Sequence, residues 1–304
     1  MQYSSALLSA SAIDATCIDA DTPTPRIPGV IPVCDTGAMP TTALSGIAIL
    51  AYLVAGGLVA ASIARVATPA RGIGLVAAAL ATLVHAVLVF GMHAHGVDLH
   101  FFAALSLCGL GVAALTLLVS LWRPIAGLGV IVFPLAAVLL ATDVFLAPET
   151  RPQPMAWQIT LHAAFALLAY SLLSIAAVLA IFLALQERAL RRRRLDSGLI
   201  RALPPLTLTE ALMFRLIGAG FVFLSLTLLS GALFVDDLFA QHLVHKTVLS
   251  ILSWIVFGVL LFGRWRWGWR GTRAVRLTLA GMAILLLAFF GSKFVLELLL
   301  RRVD

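Results

Sequence analysis

Residues 230–294 read SGALFVDDLFAQHLVHKTVLSILSWIVFGVLLFGRWRWGWRGTRAVRLTLAGMAILLLAFFGSKF. Two long apolar runs, near 244–263 and 275–299, flank a short turn rich in arginine and tryptophan. Each run is close to the ~20 residues that a helix needs to cross about 30 Å of hydrocarbon. A segment in lipid must satisfy its backbone hydrogen bonds internally, so such runs form helices. This stretch therefore predicts an all-α, membrane-embedded fold.

The composition of the whole chain supports the same fold class. The 304 residues are 62% hydrophobic and 12% charged, whereas soluble domains carry about 25% charged residues. The net charge of +7 is concentrated in short loops and predicts membrane topology, with the bilayer as partner and no nucleic acid. The three cysteines, Cys17, Cys34 and Cys108, form no CxxC pair, which disfavours a thiol–disulfide motif and a zinc ribbon.

Hydropathy predicts a polytopic helix bundle of eight spans. These lie near 43–64, 72–92, 102–122, 125–146, 156–186, 211–234, 244–263 and 275–299. Residues 1–40 hold no apolar run of spanning length and no signal-peptide pattern. They are predicted to be a disordered tail, with translation from Met39 as the alternative. Residues 41–304 are predicted to form one transmembrane domain.

Arginines in the loops predict the orientation. The odd-numbered loops hold clusters of arginine, whereas the even-numbered loops carry only Arg151 and Lys246. The positive-inside rule then places the odd loops in the cytoplasm and both termini outside. Arg301 and Arg302, near the C-terminus, oppose this orientation but are outnumbered by the loop arginines. No inverted half-repeat is visible in loops or Gly/Pro breaks, which disfavours a secondary transporter.

All seven histidines fall on the predicted outer side: His85, His93, His95, His100, His162, His242 and His245. His85 and His162 lie at similar depth in spans two and five. Two imidazoles at matched depth suit the axial positions of a haem iron. They also suit a proton path, a metal site with a third ligand, or packing between helices. Intramembrane histidines most often face the bundle interior or a cavity, so we favour a site on the outer face.

The remaining histidines carry weaker signals. His242 and His245 share one helical face if the segment is already helical, and Asp236 and Asp237 precede them. A carboxylate there would orient an imidazole ligand, although a solvated loop with a helix cap fits the pattern equally. His93, His95 and His100 are interpreted as solvated loop residues.

Other polar residues have structural interpretations. The alternation of Trp265, Trp267 and Trp269 with arginines is typical of an aromatic belt at the lipid headgroups, with a platform for a planar ligand as the alternative. Lys293 and Glu297 are four apart and suit a pair across one helical turn. No GxSxG, Walker, HExxH or GxGxxG motif is present, so a non-enzymatic function is predicted.

The residues from 157 onward also carry a family resemblance. WQITLHAAFALLAY at 157–170 resembles the histidine-bearing span of the cytochrome c assembly family, which includes the CcsA/ResC, HemX-like and YpjD branches. The pattern of Lys246, Trp254, Gly268, Trp269, Arg270, Gly271 and Gly291 resembles the YpjD branch. The resemblance covers about residues 43–300. It implies an eight-helix protein of the bacterial inner membrane that handles haem in cytochrome c maturation, with His162 on the haem side.

The chain departs from the family pattern in three places. The segment before Lys246, ALFVDDLFAQHLVH, lacks the tryptophans of the family's external haem motif. Phe262 stands where a CcsA-type histidine is expected, and the chain ends in LLLRRVD without a histidine after the last span. These departures argue against covalent attachment of haem to an apocytochrome.

The sequence thus predicts non-covalent binding of haem b, with His85 and His162 as axial ligands and His245 next. Cytochrome c maturation proteins or other membrane proteins are the expected partners. The alternative is a membrane accessory subunit, for example of an ion transporter, that keeps the scaffold without the haem function.

Overall fold

The computed structural model describes residues 38–65, 68–92, 100–122, 126–147, 156–191, 205–234 and 244–291. These residues form helices joined by short connections, and the described ranges contain no strand. Eight of the helices are long and apolar enough to cross a membrane. The predicted fold class, an all-α polytopic bundle with eight spans, is confirmed. Of the predicted tail, residues 1–37 lie outside the described ranges.

The helices begin and end close to the predicted spans. They are α1 (Ala38–Arg65), α2 (Thr68–Met92), α3 (Phe101–Trp122), α4 (Gly129–Leu146), α5 (Trp157–Arg191), α6 (Leu206–Phe234), α7 (Val244–Trp267) and α8 (Thr272–Leu286). A 3₁₀ turn, Ala126–Leu128, precedes α4, and a π-helical segment, Leu287–Gly291, continues α8. The fifth helix has 35 residues, about 52 Å at 1.5 Å per residue, and is therefore longer than the ~30 Å of hydrocarbon.

The eight helices pack as two sets of four. In the N-terminal group, α1–α4, each helix packs on the next and α4 returns to α1. In the C-terminal group, α5–α8, the same order of neighbours recurs and α8 returns to α5. The helices at opposite corners of each group make at most marginal contact. The chain therefore repeats one packing order that its loops and Gly/Pro breaks do not reveal.

The packing of α3 on α5 is the main joint between the two groups. A Cβ atom on Gly111 of α3 would collide with the hydroxyl of Ser171 on α5, so only glycine permits this approach. The Ser171 hydroxyl bonds the Leu167 carbonyl of its own helix at 2.7 Å. Small residues that let backbones approach are typical of helix contacts in lipid.

Each peripheral helix keeps one apolar face outward. On α2 the exposed residues recur every three to four positions along one stripe, as expected of a lipid-facing helix: Ile73, Val76, Leu80, Leu83, Val87 and Phe90. On the opposite side of the same helix, Ala78, Ala81, His85 and Leu88 are buried. The outward stripe of α2 is thus apolar, and the polar side chain of His85 points inward.

The turn between α7 and α8 is held by specific contacts. Gly268 and Gly271 have positive φ angles of 65° and 60°, a conformation that favours glycine. Arg264 donates to Glu210 of α6 at 3.0 Å and to the Trp269 carbonyl at 3.2 Å. On the other flank, Thr272 donates to Glu187 of α5 at 3.1 Å. The predicted cytoplasmic end of the C-terminal group is therefore tied together across four helices.

Candidate functional site

His162 lies on α5, about one and a half turns from the predicted outer end of that helix. Its Nδ1 atom is 3.0 Å from the Ser230 hydroxyl oxygen on α6. That hydroxyl donates its own hydrogen to the Thr227 carbonyl at 3.0 Å. The Ser230 oxygen is then an acceptor, so the proton of the imidazole belongs on Nδ1. The Thr227 backbone is a further hydrogen-bond partner of the imidazole. With the proton on Nδ1, the lone pair is on Nε2.

The surroundings of His162 are only partly covered. From Trp157 to Leu168 no side chain of α5 is fully buried, whereas from Ala169 to Ala180 most are. Trp157 contacts Phe234 edge-on, with ring centroids 5.9 Å apart, and Phe165 packs near Phe223 at 6.3 Å. The first third of α5 therefore offers an imidazole within an aromatic, incompletely covered surface.

His85 has a different environment inside the N-terminal group. It has no exposed surface. Its Nδ1 atom is 3.4 Å from the Tyr52 hydroxyl on α1, and its Nε2 atom is 3.0 Å from the Ser106 hydroxyl on α3. Tyr52 in turn donates to Thr82 at 3.2 Å, so its oxygen accepts from Nδ1 and Nε2 accepts from Ser106. Both imidazole nitrogens are occupied, and a ligand role requires Nε2 to exchange its serine partner.

The helices that carry the two histidines do not form one site in this structure. Helix α2, with His85, packs on α1 and α3, while α5, with His162, packs on α3, α6 and α8. Each histidine hydrogen-bonds within its own four-helix group. The sequence predicts a similar depth for the two imidazoles, but among the described residues they share no hydrogen-bond partner.

His245 falls in the first turn of α7, and its side chain lies outside the described part of the structure. The predicted outer loops with His93, His95, Asp236, Asp237 and His242 are also outside it, as are Lys293 and Glu297. Within the described ranges, no group of three or more His, Cys, Asp or Glu side chains is placed to hold a metal ion. The predicted haem ligands His162 and His85 are the candidates whose contacts are visible.

His100 is not the solvated loop residue that the sequence suggested. It precedes α3, where its Nδ1 atom accepts the backbone N–H of Ala103 at 3.2 Å. Its Nε2 atom lies 3.8 Å from the Asp143 carboxylate of α4, and both side chains are about 85% buried, with exposures of 14% and 15%. The interpretation was wrong because a side chain that caps a helix cannot be recognised without the neighbouring helix. This contact accounts for a carboxylate near the end of span four.

The tryptophan-rich turn combines features of both interpretations. Trp265 and Trp267 are 80% and 60% exposed, as expected for an aromatic belt at the headgroups. Trp269 instead packs on Gly263, stacks on Trp267 at 5.6 Å and is half-buried. Trp269 therefore shapes the turn, while the other two face outward.

Sequence reasoning missed the residues that hold the histidines. Ser230 is 68 positions from His162, and Ser106 is 21 positions from His85. Serine is common in membrane helices, and isolated hydroxyls gave no signal of their partners. Both serines are buried, with 5% of Ser230 and 0% of Ser106 exposed. Their hydrogen bonds show that they face the histidines.

Comparisons with known proteins bear directly on this arrangement. A family model described as cytochrome C assembly protein matches residues 72–300. The inner membrane protein YpjD of Escherichia coli K12 is 37% identical over 170 residues, which cover 56% of this chain and 64% of that protein. An uncharacterized 28.8 kDa protein of Azospirillum brasilense is 39% identical over 156 residues, covering 51% of this chain and 57% of that protein.

A more distant match is the cytochrome c biogenesis protein CcsA of Chlamydomonas reinhardtii, 29% identical over 90 residues, or 29% of this chain and 26% of that protein. The matched segments span less than two thirds of the length of these relatives. No solved structure matches the chain significantly. The family model nonetheless extends over most of the chain and includes both histidine-bearing spans. With its eight apolar helices, this chain belongs to the cytochrome c assembly protein family.

Proposed function

We propose that this chain binds haem non-covalently at the predicted outer side of the C-terminal group, in support of cytochrome c assembly. Membership of the cytochrome c assembly family supports this class of function. We place the protein in the bacterial inner membrane, because the Escherichia coli relative is named an inner membrane protein. The proposed outer location follows from the arginine-rich loops on the opposite side.

The observation that carries the proposal is the contact of His162 with Ser230. Its Nδ1 atom is fixed by Ser230 at 3.0 Å, and a hydrogen bond on one imidazole nitrogen orients the other toward a metal. Its Nε2 atom keeps the lone pair that haem iron requires. The half-buried position and the neighbouring apolar and aromatic side chains suit a planar macrocycle. The residues around His162 thus fit an axial haem ligand.

Haem would supply an iron with two axial positions in a flat apolar macrocycle edged by two carboxylates. We propose His162 as one axial ligand. His85 and His245 remain the candidates for the other position. The Nε2 atom of His85 would have to exchange the hydroxyl of Ser106 for iron. His85 would also have to reach a haem held by the other helix group. His245 lies in α7, which belongs to the same group as His162.

The visible spectrum of the purified protein tests this function. We expect the wild type in mild detergent to show a Soret band, and reduced bands typical of two-imidazole ligation. His162→Ala should lose that spectrum. His100→Ala is the matched control, because it removes another outer histidine whose Nδ1 atom serves a helix cap.

Variants of the two remaining histidines assign the second ligand. Loss of the two-imidazole bands in His245→Ala, with His85→Ala unchanged, would place both ligands in the C-terminal group, and the reverse would assign His85. Colourless protein from haem-replete cells that also fails to take up added haem would refute the proposal. The accessory-subunit function would then be pursued by searching for a membrane protein that co-purifies in stoichiometric amount.

A further inference from the structure

We infer that Lys246 binds the carboxylates of the haem that His162 ligates, an inference that rests on the proposed function. Lys246 is in the first turn of α7 and is half-buried. Ionisable side chains within membrane spans usually face the bundle interior or a cavity and mark ligand or ion sites, whereas a lysine at a helix end can also extend to the interface. Three features of the described structure support a ligand role here.

The first feature is the face of α7 on which Lys246 lies. Ser253, Phe257 and Leu260 follow it at seven, eleven and fourteen positions, and all three have no exposed surface. Residues at these spacings share one side of a helix. Ser253 donates to the Gly281 carbonyl of α8 at 2.9 Å, and Phe257 contacts Gly281. Lys246 therefore continues the interior stripe of α7 rather than its lipid-facing side.

The second feature is depth. On α6, Ser230 contacts His162, and Ser225, five positions earlier, accepts from the Trp254 indole at 2.8 Å. Because α6 and α7 run in opposite directions, five positions from Trp254 toward the outer side reach the level of His162. Lys246 is three positions further, about 4.5 Å at 1.5 Å per residue. The backbone of Lys246 thus lies about one helical turn further toward the predicted outer side than His162.

The third feature is the distribution of cations. Every described arginine lies toward the predicted cytoplasmic side. Among the described Lys and Arg residues, Lys246 alone lies toward the predicted outer side. A haem seated with its iron at His162 and its carboxylates outward would meet this positive charge. Charge-assisted hydrogen bonds of an ammonium with carboxylates are among the stronger polar contacts in proteins.

Titration of the purified protein with two porphyrins tests the inference. Haem carries free carboxylates, and haem dimethyl ester carries none. We expect Lys246→Met to weaken haem binding about tenfold or more, the effect of losing one hydrogen bond to a charged group. Binding of the dimethyl ester should be the same in Lys246→Met and wild type, and Lys246→Arg should keep most of the haem affinity.

The matched control is Arg266→Gln, which removes an exposed cation from the opposite end of α7 and should change neither affinity. Lys246→Gln serves as a second neutral variant if Lys246→Met is poorly folded. Equal haem affinity in the neutral variants and wild type would overturn the inference while leaving haem binding intact. Equal weakening for both porphyrins would also overturn it, because the effect would then be structural. Failure of the wild type to bind either porphyrin would remove the proposed function, and this inference with it.

Discussion

The two four-helix groups share a packing order but hold their histidines in different ways. In the N-terminal group, His85 is sealed between α1, α2 and α3, and both of its nitrogens are engaged. In the C-terminal group, His162 is half-buried and contacts α6, through the Ser230 hydroxyl and the Thr227 backbone. A membrane-embedded imidazole is therefore a packing element or a potential ligand according to how completely its surroundings cover it.

The largest effect expected from this contrast is on stability. His85→Ala removes two hydrogen bonds and a fully buried side chain, so we expect the free energy of unfolding to fall by about 2–4 kcal/mol. The same change at His162 should cost about 1 kcal/mol or less in haem-free protein, since one hydrogen bond in a membrane bundle contributes little. Unfolding of both variants in detergent micelles measures the difference. Equal losses would break the comparison.

A second variant tests the joint between the groups. Gly111→Val places a side chain against Ser171 at the α3–α5 contact, and overpacking of this kind costs about 1–3 kcal/mol. Gly57→Val is the matched control, because a Cβ atom there meets no atom within 4 Å. The thermal unfolding midpoint in detergent should fall much further for Gly111→Val. If both variants unfold at the same temperature, the groups do not depend on this contact.

A third test concerns the serines that contact each histidine. Ser230→Ala removes the acceptor that orients His162. Loss of the hydrogen-bond partner of a metal-ligating histidine weakens metal binding by about tenfold. Ser106→Ala removes the corresponding hydroxyl from His85 and should not weaken haem binding, because it frees the Nε2 atom of His85. Haem titrations of both variants give the result. A larger loss of affinity from Ser106→Ala than from Ser230→Ala would move the site to the N-terminal group.

The smallest expected effect is at the outer end of α3. His100→Ala removes a helix cap and the contact with Asp143, and loss of a cap typically costs about 0.5–1 kcal/mol. His100→Asn keeps a capping acceptor and should recover most of this loss. Hydrogen exchange of the first turn of α3 would detect the change locally. Equal protection in wild type and His100→Ala would show that the cap contributes nothing there.

Hydropathy predicted the helices well because span length is set by the bilayer. The end of α2 at Met92 and of α4 at Leu146 coincide with the predicted limits. The end of span eight was less predictable, since α8 changes to a π-helical segment after Leu286. In that region Tyr170 donates to the Leu285 carbonyl at 2.6 Å, a contact that depends on a residue 115 positions away.

The packing order of the helices could not be predicted in the same way. Lipid-facing and buried faces are both apolar, so periodicity does not show which helices are neighbours. For the same reason the sequence could place His85 and His162 at one depth, yet could not show that they belong to different groups. The family resemblance correctly identified the superfamily and its YpjD branch, because motifs such as the turn at Gly268–Gly271 are local.

Rescue of a cavity variant by free imidazole tests the central claim about His162 most directly. His162→Gly removes the imidazole and leaves space beside Ser230 for one from solution. We predict that this variant, supplied with haem, lacks the two-imidazole spectrum and regains it when imidazole is added. A wild-type spectrum in His162→Gly without added imidazole would contradict the account, since His162 would then not be a ligand.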